Sequence, residues 1–249
     1  MSRLILLGVV SWLVLGSAEA SRADDAEDKA VAFVKELNGK VTRDEKLPGK
    51  PVNAVILRDT KVTDAGLKEV APLKNLTDLD LHFTTVTDAS LKELTSFKKL
   101  TTLNLGGAKV TDAGLKEIAP LKNLASLHLN ATAVTDAGLK DLAPFKNLTS
   151  LYLHTTNVTD EGLKELAPLK NLTNLYLGGT KVTDAGLKEL APLKNLKALY
   201  LGGTAVTDAG LKELATLKNL ASLDLTDSKV TDAGLKELQK ALPKCEITR

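Results

Sequence analysis

Aromatic residues make up only 3% of the 249-residue chain, which also has a single cysteine and a formal net charge of +2. Leu, Val and Ala must therefore fill the interior, and these suit thin, regular layers better than one large core. Cys245 cannot form a disulfide within the chain, and we predict that it packs as a small apolar side chain; a reactive thiol or an intermolecular disulfide is the alternative. The balance of 33 basic and 31 acidic side chains gives no electrostatic reason to expect nucleic acid or an anionic membrane as a partner.

Residues 1–20 have the pattern of a secretory signal peptide. Arg3 supplies a positive charge, residues 4–15 are mostly apolar, and Ala18-Glu19-Ala20 matches a small-x-small cleavage site. The apolar run is too short to cross a bilayer, which takes about 20 residues, so an uncleaved anchor is the disfavoured alternative. We therefore expect an exported protein, periplasmic or extracellular, that begins at Ser21 and does not insert into the membrane after cleavage.

A 24-residue repeat dominates the rest of the sequence. The string Val-Thr-Asp begins at Val62, Val86, Val110, Val134, Val158, Val182, Val206 and Val230. Around it runs the unit Leu-x-x-Leu-x-Leu-x-x-Thr-x-Val-Thr-Asp-Ala-Gly-Leu-Lys-Glu-Leu-Ala-Pro-Leu-Lys-Asn, which residues 172–195 reproduce almost without change. A fixed period of this length indicates a solenoid, because one unit cannot bury its own apolar face but stacked copies can.

Each unit is predicted to form a short strand followed by a short helix. In the copy at 172–195, Leu175 and Leu177 alternate as strand residues do. Thr183 or Asp184 can cap the following helix, and Pro192 ends it. Strands pair about 4.8 Å apart whereas helices need about 8–10 Å, so the stack must curve. The predicted fold class is therefore α/β, with a parallel β-sheet on the concave side and short helices on the convex side.

The Leu-x-x-Leu-x-Leu core resembles leucine-rich repeats, and Val-Thr-Asp-x-Gly-Leu is similar to the cysteine-containing subtype of many F-box and bacterial exported proteins. The resemblance covers residues 52–243 and implies a horseshoe-shaped leucine-rich-repeat solenoid. Where that subtype has Cys, this chain has Thr60, Thr84, Thr132, Thr156, Thr180 and Thr204, with Ala108 and Ser228 in the other copies. We expect these hydroxyls to bond backbone groups of adjacent turns. Too few residues precede the repeats for an F-box, so a ubiquitin-ligase role is not implied.

The chain divides into a signal peptide (1–20), an N-terminal helical cap (21–51), eight repeats (52–243) and a C-terminal closing strand (244–249). Asp24 or Asp25 is predicted to open an amphipathic helix that ends at Asn38-Gly39, with an edge strand at 40–45. Terminal repeats need such covers to stay soluble.

The positions that vary between copies lie on the strands and are predicted to face the concave side. One column reads Ile56, Asp80, Asn104, His128, Tyr152, Tyr176, Tyr200 and Asp224. The next reads Arg58, His82, Gly106, Asn130, His154, Gly178, Gly202 and Thr226. All three tyrosines and all three histidines of the protein fall within these sixteen positions.

This clustering selects His128, Tyr152, His154, Tyr176 and Tyr200 as candidate ligand-binding residues. The three tyrosines are predicted to form a stripe about 10 Å long across three strands, with ring faces left open by the neighbouring glycines. Exposed tyrosine suits recognition because it combines a large, rigid apolar surface with a hydroxyl. The alternative is that these tyrosines favour strands and stack on one another without binding anything.

We predict neither a metal site nor a catalytic centre. His128 and His154 have no adjacent carboxylate to complete a metal site, and Asp80 and His82 share a strand face without a nucleophile. No cofactor is expected. The sequence favours a monomeric, non-enzymatic scaffold that binds a protein or glycan on its concave face. A structural cell-envelope protein without a specific ligand is the alternative.

Overall fold

The computed structural model describes residues 25–249. The predicted signal peptide and Asp24, one of the two predicted helix starts, lie outside the described residues. Within them, ten strands form one open sheet in chain order. Each repeat therefore contacts its neighbours in the chain, as a solenoid requires. The sheet is parallel from its second strand onward, with short helices between strands, and this confirms the predicted fold class.

The repeat strands pair in register, so residues 24 apart lie side by side. They are β2 (Val52–Ile56), β3 (Asp78–Asp80), β4 (Thr102–Asn104), β5 (Ser126–His128), β6 (Ser150–Tyr152), β7 (Asn174–Tyr176), β8 (Ala198–Tyr200) and β9 (Ser222–Asp224), followed by β10 (Glu246–Thr248). The helices are α1 (25–36), α2 (Asp64–Glu69), α3 (Asp88–Leu91), α4 (Asp112–Ile118), α5 (Asp136–Leu139), α6 (Asp160–Lys164), α7 (Asp184–Leu187), α8 (Asp208–Leu214) and α9 (Asp232–Ala241). Turns of 3₁₀ helix continue three of them, at Lys92–Ser96, Lys140–Leu142 and Lys188–Leu190. No helix in residues 25–249 has the length and apolarity to cross a membrane.

The N-terminal end of the sheet is covered by α1 and by β1 (Lys40–Arg43), which pairs antiparallel with β2. Ala30 and Val34 of α1 are buried against the first repeat. Glu27 ties this cover together, since its Oε1 accepts hydrogen bonds from Arg43 Nη1 at 2.6 Å and from the backbone N of Val52 at 3.2 Å. At the other end β10 continues the sheet, and Cys245 beside it is buried, which raises the pKa of its thiol.

The Thr and Asp of each Val-Thr-Asp string have different roles. Thr183 caps its own helix, because its Oγ1 accepts a hydrogen bond from the backbone N of Ala185. Asp184 instead bridges to the next repeat, accepting bonds from the N and Oγ1 of Thr207 at 2.8 and 2.7 Å. The same bridge joins Asp64 to Thr87, Asp88 to Thr111, Asp112 to Thr135, Asp136 to Thr159, Asp160 to Thr183 and Asp208 to Thr231.

The glycine that follows in most copies makes room for this bridge. A Cβ on Gly210 would collide with Oδ1 of Asp184, and four copies between Gly114 and Gly186, together with Gly234, meet the same obstacle. Ser90 is the exception. Burial acts to raise the pKa of Asp64, but hydrogen bonds from Ser90 and Thr87 outweigh it and hold that pKa below its ordinary value. The serine is held beside the carboxylate by its own hydroxyl, which donates to the carbonyl of Thr87 at 3.1 Å.

The predicted hydroxyl ladder between turns is wrong. Thr180 Oγ1 donates to the carbonyl of Leu177 in its own turn, at 2.6 Å. Thr60, Thr84, Thr132, Thr156 and Thr204 bond in the same way. The physical reason is the left-handed residue before each threonine, such as Gly179 at φ 65°, which turns the chain back toward its own strand end. Other side chains do join neighbouring turns, such as Asn195 before β8, whose Nδ2 donates to the carbonyl of Lys170 at 2.9 Å.

Candidate functional site

Parallel pairing in register brings four of the five candidate residues into contact. His128, Tyr152, Tyr176 and Tyr200 are consecutive partners across β5 to β8. Their ring centroids are 3.8, 4.1 and 4.2 Å apart, and neighbouring rings lie within 10° of parallel. We call these four residues the ring stack. It forms because the spacing of paired strands, about 4.8 Å, is close to the spacing at which flat rings stack.

The stack changes which surfaces of the rings a ligand can reach. The prediction that glycines leave the tyrosine faces open is wrong, since each inner face is covered by the next ring. What remains toward the concave side is the ring edges and the hydroxyls, while the outer faces of the two end rings, His128 and Tyr200, are turned toward Asn104 of β4 and Asp224 of β9. Burial, with the hydroxyls of Tyr152 and Tyr200, raises the pKa of Tyr176. The Tyr176 hydroxyl is therefore a neutral group that can both donate and accept hydrogen bonds.

His128 continues the stack as a neutral ring. Burial lowers its pKa to about 4; Asp80 acts in the opposite direction, and the charges of His154, His82 and Arg58 add to the lowering. One ring nitrogen, Nε2, lies 3.1 Å from Ser126 Oγ. Near neutral pH, His128 therefore presents no charge to a ligand.

His154, the fifth candidate, lies outside the ring stack, in the second column, two residues after Tyr152. Burial lowers its pKa, and the charge of His82 acts in the same direction. Among residues 25–249 there is no group of three or more His, Cys, Asp or Glu side chains that could hold a metal ion.

A third outward column, not predicted from the sequence, lies at the first residue of each strand. Ser126, Ser150 and Asn174 lie on the same face as the ring stack, and Asn174 Nδ2 donates to Ser150 Oγ at 3.0 Å. The signal was present, since strand residues two apart face the same way. These polar side chains border the ring stack on its other side.

Phe83 was also overlooked. It is 58% exposed and has φ 51°, in a position where three other repeats have glycine. A bulky residue in this left-handed region is uncommon and strained. Its ring packs against His82, with centroids 4.2 Å apart, and covers Gly107, where a Cβ would collide with it. The signal was a phenylalanine in a column otherwise occupied by Gly, Ala, Thr and Asp.

The second column is filled near the N-terminus and open near the C-terminus. A Cβ on Gly106 would lie 2.6 Å from Nδ1 of His82 and 2.7 Å from Oδ1 of Asn130, so these side chains already occupy that space. A Cβ on Gly202 would meet only the carbonyl of Thr226 at 3.2 Å and the carboxylate of Asp224 at 3.5 Å. The surface beside Tyr200 is therefore formed by backbone and by the carboxylate of Asp224.

Comparison with known proteins identifies the family. The model of the Leucine Rich repeat family matches residues 98–119, 146–167, 169–191, 193–215 and 216–238. The structure of internalin C2 from Listeria monocytogenes is 31% identical; the match covers 79% of this chain and 81% of that one, with a TM-score of 0.63. The chain therefore belongs to the leucine-rich-repeat family. These matches do not confirm the cysteine-containing subtype.

Two plant receptors share the fold. One is the leucine-rich-repeat ectodomain of the receptor kinase GASSHO1/SCHENGEN3 from Arabidopsis thaliana in complex with CASPARIAN STRIP INTEGRITY FACTOR 2 (TM-score 0.55). The other is the plant peptide hormone receptor RGFR1 in complex with RGF2 (TM-score 0.54). Both are 19% identical over 83% and 84% of this chain, which spans only 25% and 36% of theirs. A comparison with curated proteins finds no match.

Proposed function

We propose that this protein is an exported, monomeric, non-enzymatic scaffold that binds a protein ligand through its concave face, with the ring stack at the centre of the contact. One observation carries the proposal. In a chain whose copies repeat almost residue for residue, every tyrosine lies in one outward column, next to a histidine with which the rings stack. Tyrosine is among the residues most enriched in binding hot spots.

The geometry favours a protein over a glycan. Sugar rings bind aromatic residues chiefly by lying on an open ring face, and the inner faces of the stack are covered. What is left is a row of ring edges and hydroxyls, bordered by Ser126, Ser150 and Asn174. Such a row suits the alternating polar and apolar groups of a polypeptide. The fold also agrees, since the two plant receptors of similar fold are described in complex with CASPARIAN STRIP INTEGRITY FACTOR 2 and RGF2.

A displayed library of random peptides, panned against the full chain beside a glycan array, tests this function. The matched variants are Tyr152→Ala/Tyr176→Ala/Tyr200→Ala and, as a control on the convex side of three repeats, Lys140→Ala/Lys188→Ala/Lys212→Ala. We expect selected peptides to bind the wild type and the lysine variant alike. The tyrosine variant should bind them at least about tenfold more weakly, because it loses three anchors that each contribute to affinity.

Two results would count against the proposal. Peptides that bind the tyrosine variant as well as the wild type would remove the ring stack as the site. Binding of glycans alone, again dependent on the tyrosines, would favour the carbohydrate alternative. Thermal unfolding of each variant shows whether a loss of binding reflects a loss of fold.

A further inference from the structure

Two aspartates stand at equivalent places on either side of the ring stack. Asp80 ends β3 and Asp224 ends β9, both in the column of the stack. Oδ1 of Asp80 accepts a hydrogen bond from the backbone N of His82 at 2.9 Å. Oδ1 of Asp224 accepts one from the backbone N of Thr226, also at 2.9 Å, and another from its hydroxyl at 2.6 Å. Both carboxylates are therefore held by the same type of turn, with Oδ2 left to other partners.

The partner of Oδ2 differs between the two. Oδ2 of Asp80 forms an ion pair with Nε of Arg58, at 3.4 Å. Arg58 lies 22 residues before Asp80, and the residue 22 before Asp224 is Gly202. The side chain that would supply the guanidinium is thus missing in the later repeat. Among residues 25–249, no donor or basic group is bonded to Oδ2 of Asp224.

The carboxylate of Asp224 is nevertheless turned toward the place of that absent side chain. Its Oδ2 lies 3.5 Å from the position that a Cβ on Gly202 would take. The nearest arginine along the chain, Arg249, is engaged elsewhere, since its Nη1 binds Asp232 at 2.9 Å and the carbonyl of Val230 at 3.0 Å. The structure therefore has a carboxylate oriented as Asp80 is for Arg58, with no side chain extending from Gly202 to meet it.

Tyr200 borders the same space. One face of its ring is covered by Tyr176, and the other is directed along the column toward β9 and Asp224. A cation placed between an aromatic face and a carboxylate makes two favourable interactions, one with the ring quadrupole and one through a charge-assisted hydrogen bond. The equivalent of Tyr200 in the first repeat is Ile56, which offers no such ring. In the later repeat, a glycine thus stands in place of the arginine, and an aromatic ring in place of the isoleucine.

We propose that Tyr200, Gly202 and Asp224 form a recognition site for an arginine side chain of the protein ligand. The guanidinium lies on the outer face of Tyr200 and binds Oδ2 of Asp224, in the place that Arg58 takes beside Asp80. Its aliphatic stem crosses Gly202. This inference rests on the proposed function for the nature of the ligand, and it adds a charge requirement at one end of the ring stack.

Titration of the full chain with acetylated, amidated peptides Gly-Gly-X-Gly-Gly tests the site directly, with X as Arg, Glu or Leu. The protein has three tyrosines, so aromatic NMR signals report on the stack. We expect the arginine peptide to shift the Tyr200 signals saturably, and the glutamate and leucine peptides to leave them in place. Asp224→Asn should weaken the arginine peptide about tenfold or more, because a charged hydrogen bond is lost.

Asp80→Asn is the matched control, since it removes a carboxylate from the same column whose Oδ2 Arg58 already occupies. It should leave binding of the arginine peptide unchanged. Gly202→Arg should block the site by supplying an internal guanidinium in the register of Arg58, and its thermal unfolding shows whether the tight approach to the Thr226 carbonyl is tolerated.

Equal weakening by Asp224→Asn and Asp80→Asn would overturn the proposal, as would equal shifts with all three peptides. The library experiment separates this failure from failure of the proposed function. If selected peptides depend on the tyrosines but bind Asp224→Asn normally, the scaffold function stands and the arginine site is wrong. If the selected peptides contain arginine and bind more weakly both to the tyrosine variant and to Asp224→Asn, both proposals are supported.

Discussion

The helical side of the repeats and their concave face share one backbone but follow different rules. On the helical side the bridging residues recur because they form a contact of fixed geometry with the next copy: Asp184 bonds Thr207 and leaves room only for Gly210. On the concave face, equivalent positions range from Ile56 to Asp224 without altering the register. Residue identity is therefore required where Asp and Thr bridge two repeats, and it varies along the concave face. On the concave face, residues can therefore change to suit a ligand without destabilising the stacked repeats.

The largest effect should come from the interior that both sides share. Leu175 is fully buried at the centre of β7, and Leu175→Ala is expected to lower the free energy of unfolding by about 2–5 kcal/mol, through lost burial and the cavity left behind. Urea denaturation measures it. Tyr176→Ala, one residue along on the concave face, is the control and should cost clearly less. Equal losses would contradict the assignment of the two faces.

The bridge on the helical side should be the next most sensitive point. Gly210→Ala places a methyl group against Oδ1 of Asp184 and is expected to cost about 1–3 kcal/mol, as overpacking does. Adding Asp184→Ala removes the obstacle, so the two changes together should cost less than their sum. A full double-mutant cycle by urea denaturation measures this coupling, and strict additivity would show that the glycine is not there to make room for the carboxylate.

Much of this could be predicted from the sequence, because a fixed period places equivalent residues side by side. The pairing of Leu175 with Leu151, and the contact of Tyr152 with Tyr176, follow from the 24-residue spacing and parallel pairing alone. The covered ring faces did not follow, since they depend on side-chain rotamers that align only once the strand spacing is known. The space beside Asp224 likewise depends on where its carboxylate turns.

The remaining features could not be predicted from the sequence, because the local preferences of the residues concerned allow more than one role. Thr183 and Asp184 are both good helix caps, and only the position of the next repeat shows that Asp184 bridges while Thr183 caps. The bond of Thr180 to its own turn depends on a left-handed Gly179, which the periodicity does not reveal. Phe83 occupies that same left-handed position, against the usual preference of bulky residues.

A pH-dependent effect should appear on the concave face, at His128. His128 has a folded-state pKa of about 4, below its ordinary 6.5, so the unfolded chain takes up the proton first. The stabilisation from the neutral ring is present above about pH 6.5 and is lost as the pH falls toward 4. His128→Phe keeps a flat ring in the stack and cannot titrate. We expect the melting temperature of the wild type, relative to this variant, to fall between pH 7 and pH 4.5.

The comparison between the two proteins cancels the other titrating groups. His154, Asp64 and Asp208 also have lowered pKa values, but they are present in both. A difference in melting temperature that stays constant across this range would show that His128 titrates at its ordinary value and is not enclosed by the stack. The effect should be smaller than those of the core and the bridge, since His128 is only partly buried.

The smallest effect should come from the repeated lysine of the convex side. Lys188 is 63% exposed and its Nζ lies 3.9 Å from Glu189 Oε1, a long contact that solvent screens. Lys188→Ala should change the free energy of unfolding, measured in urea, by no more than about 0.5 kcal/mol. A loss like that of Leu175→Ala would show that the lysine stem packs into the stack.

A neutral result has a further consequence. The lysine is present in all eight copies, as invariant as the bridging residues, but it takes no part in the bridge. Its repetition would then serve solubility, because a long stack must keep its outer surface charged to stay apart from other copies.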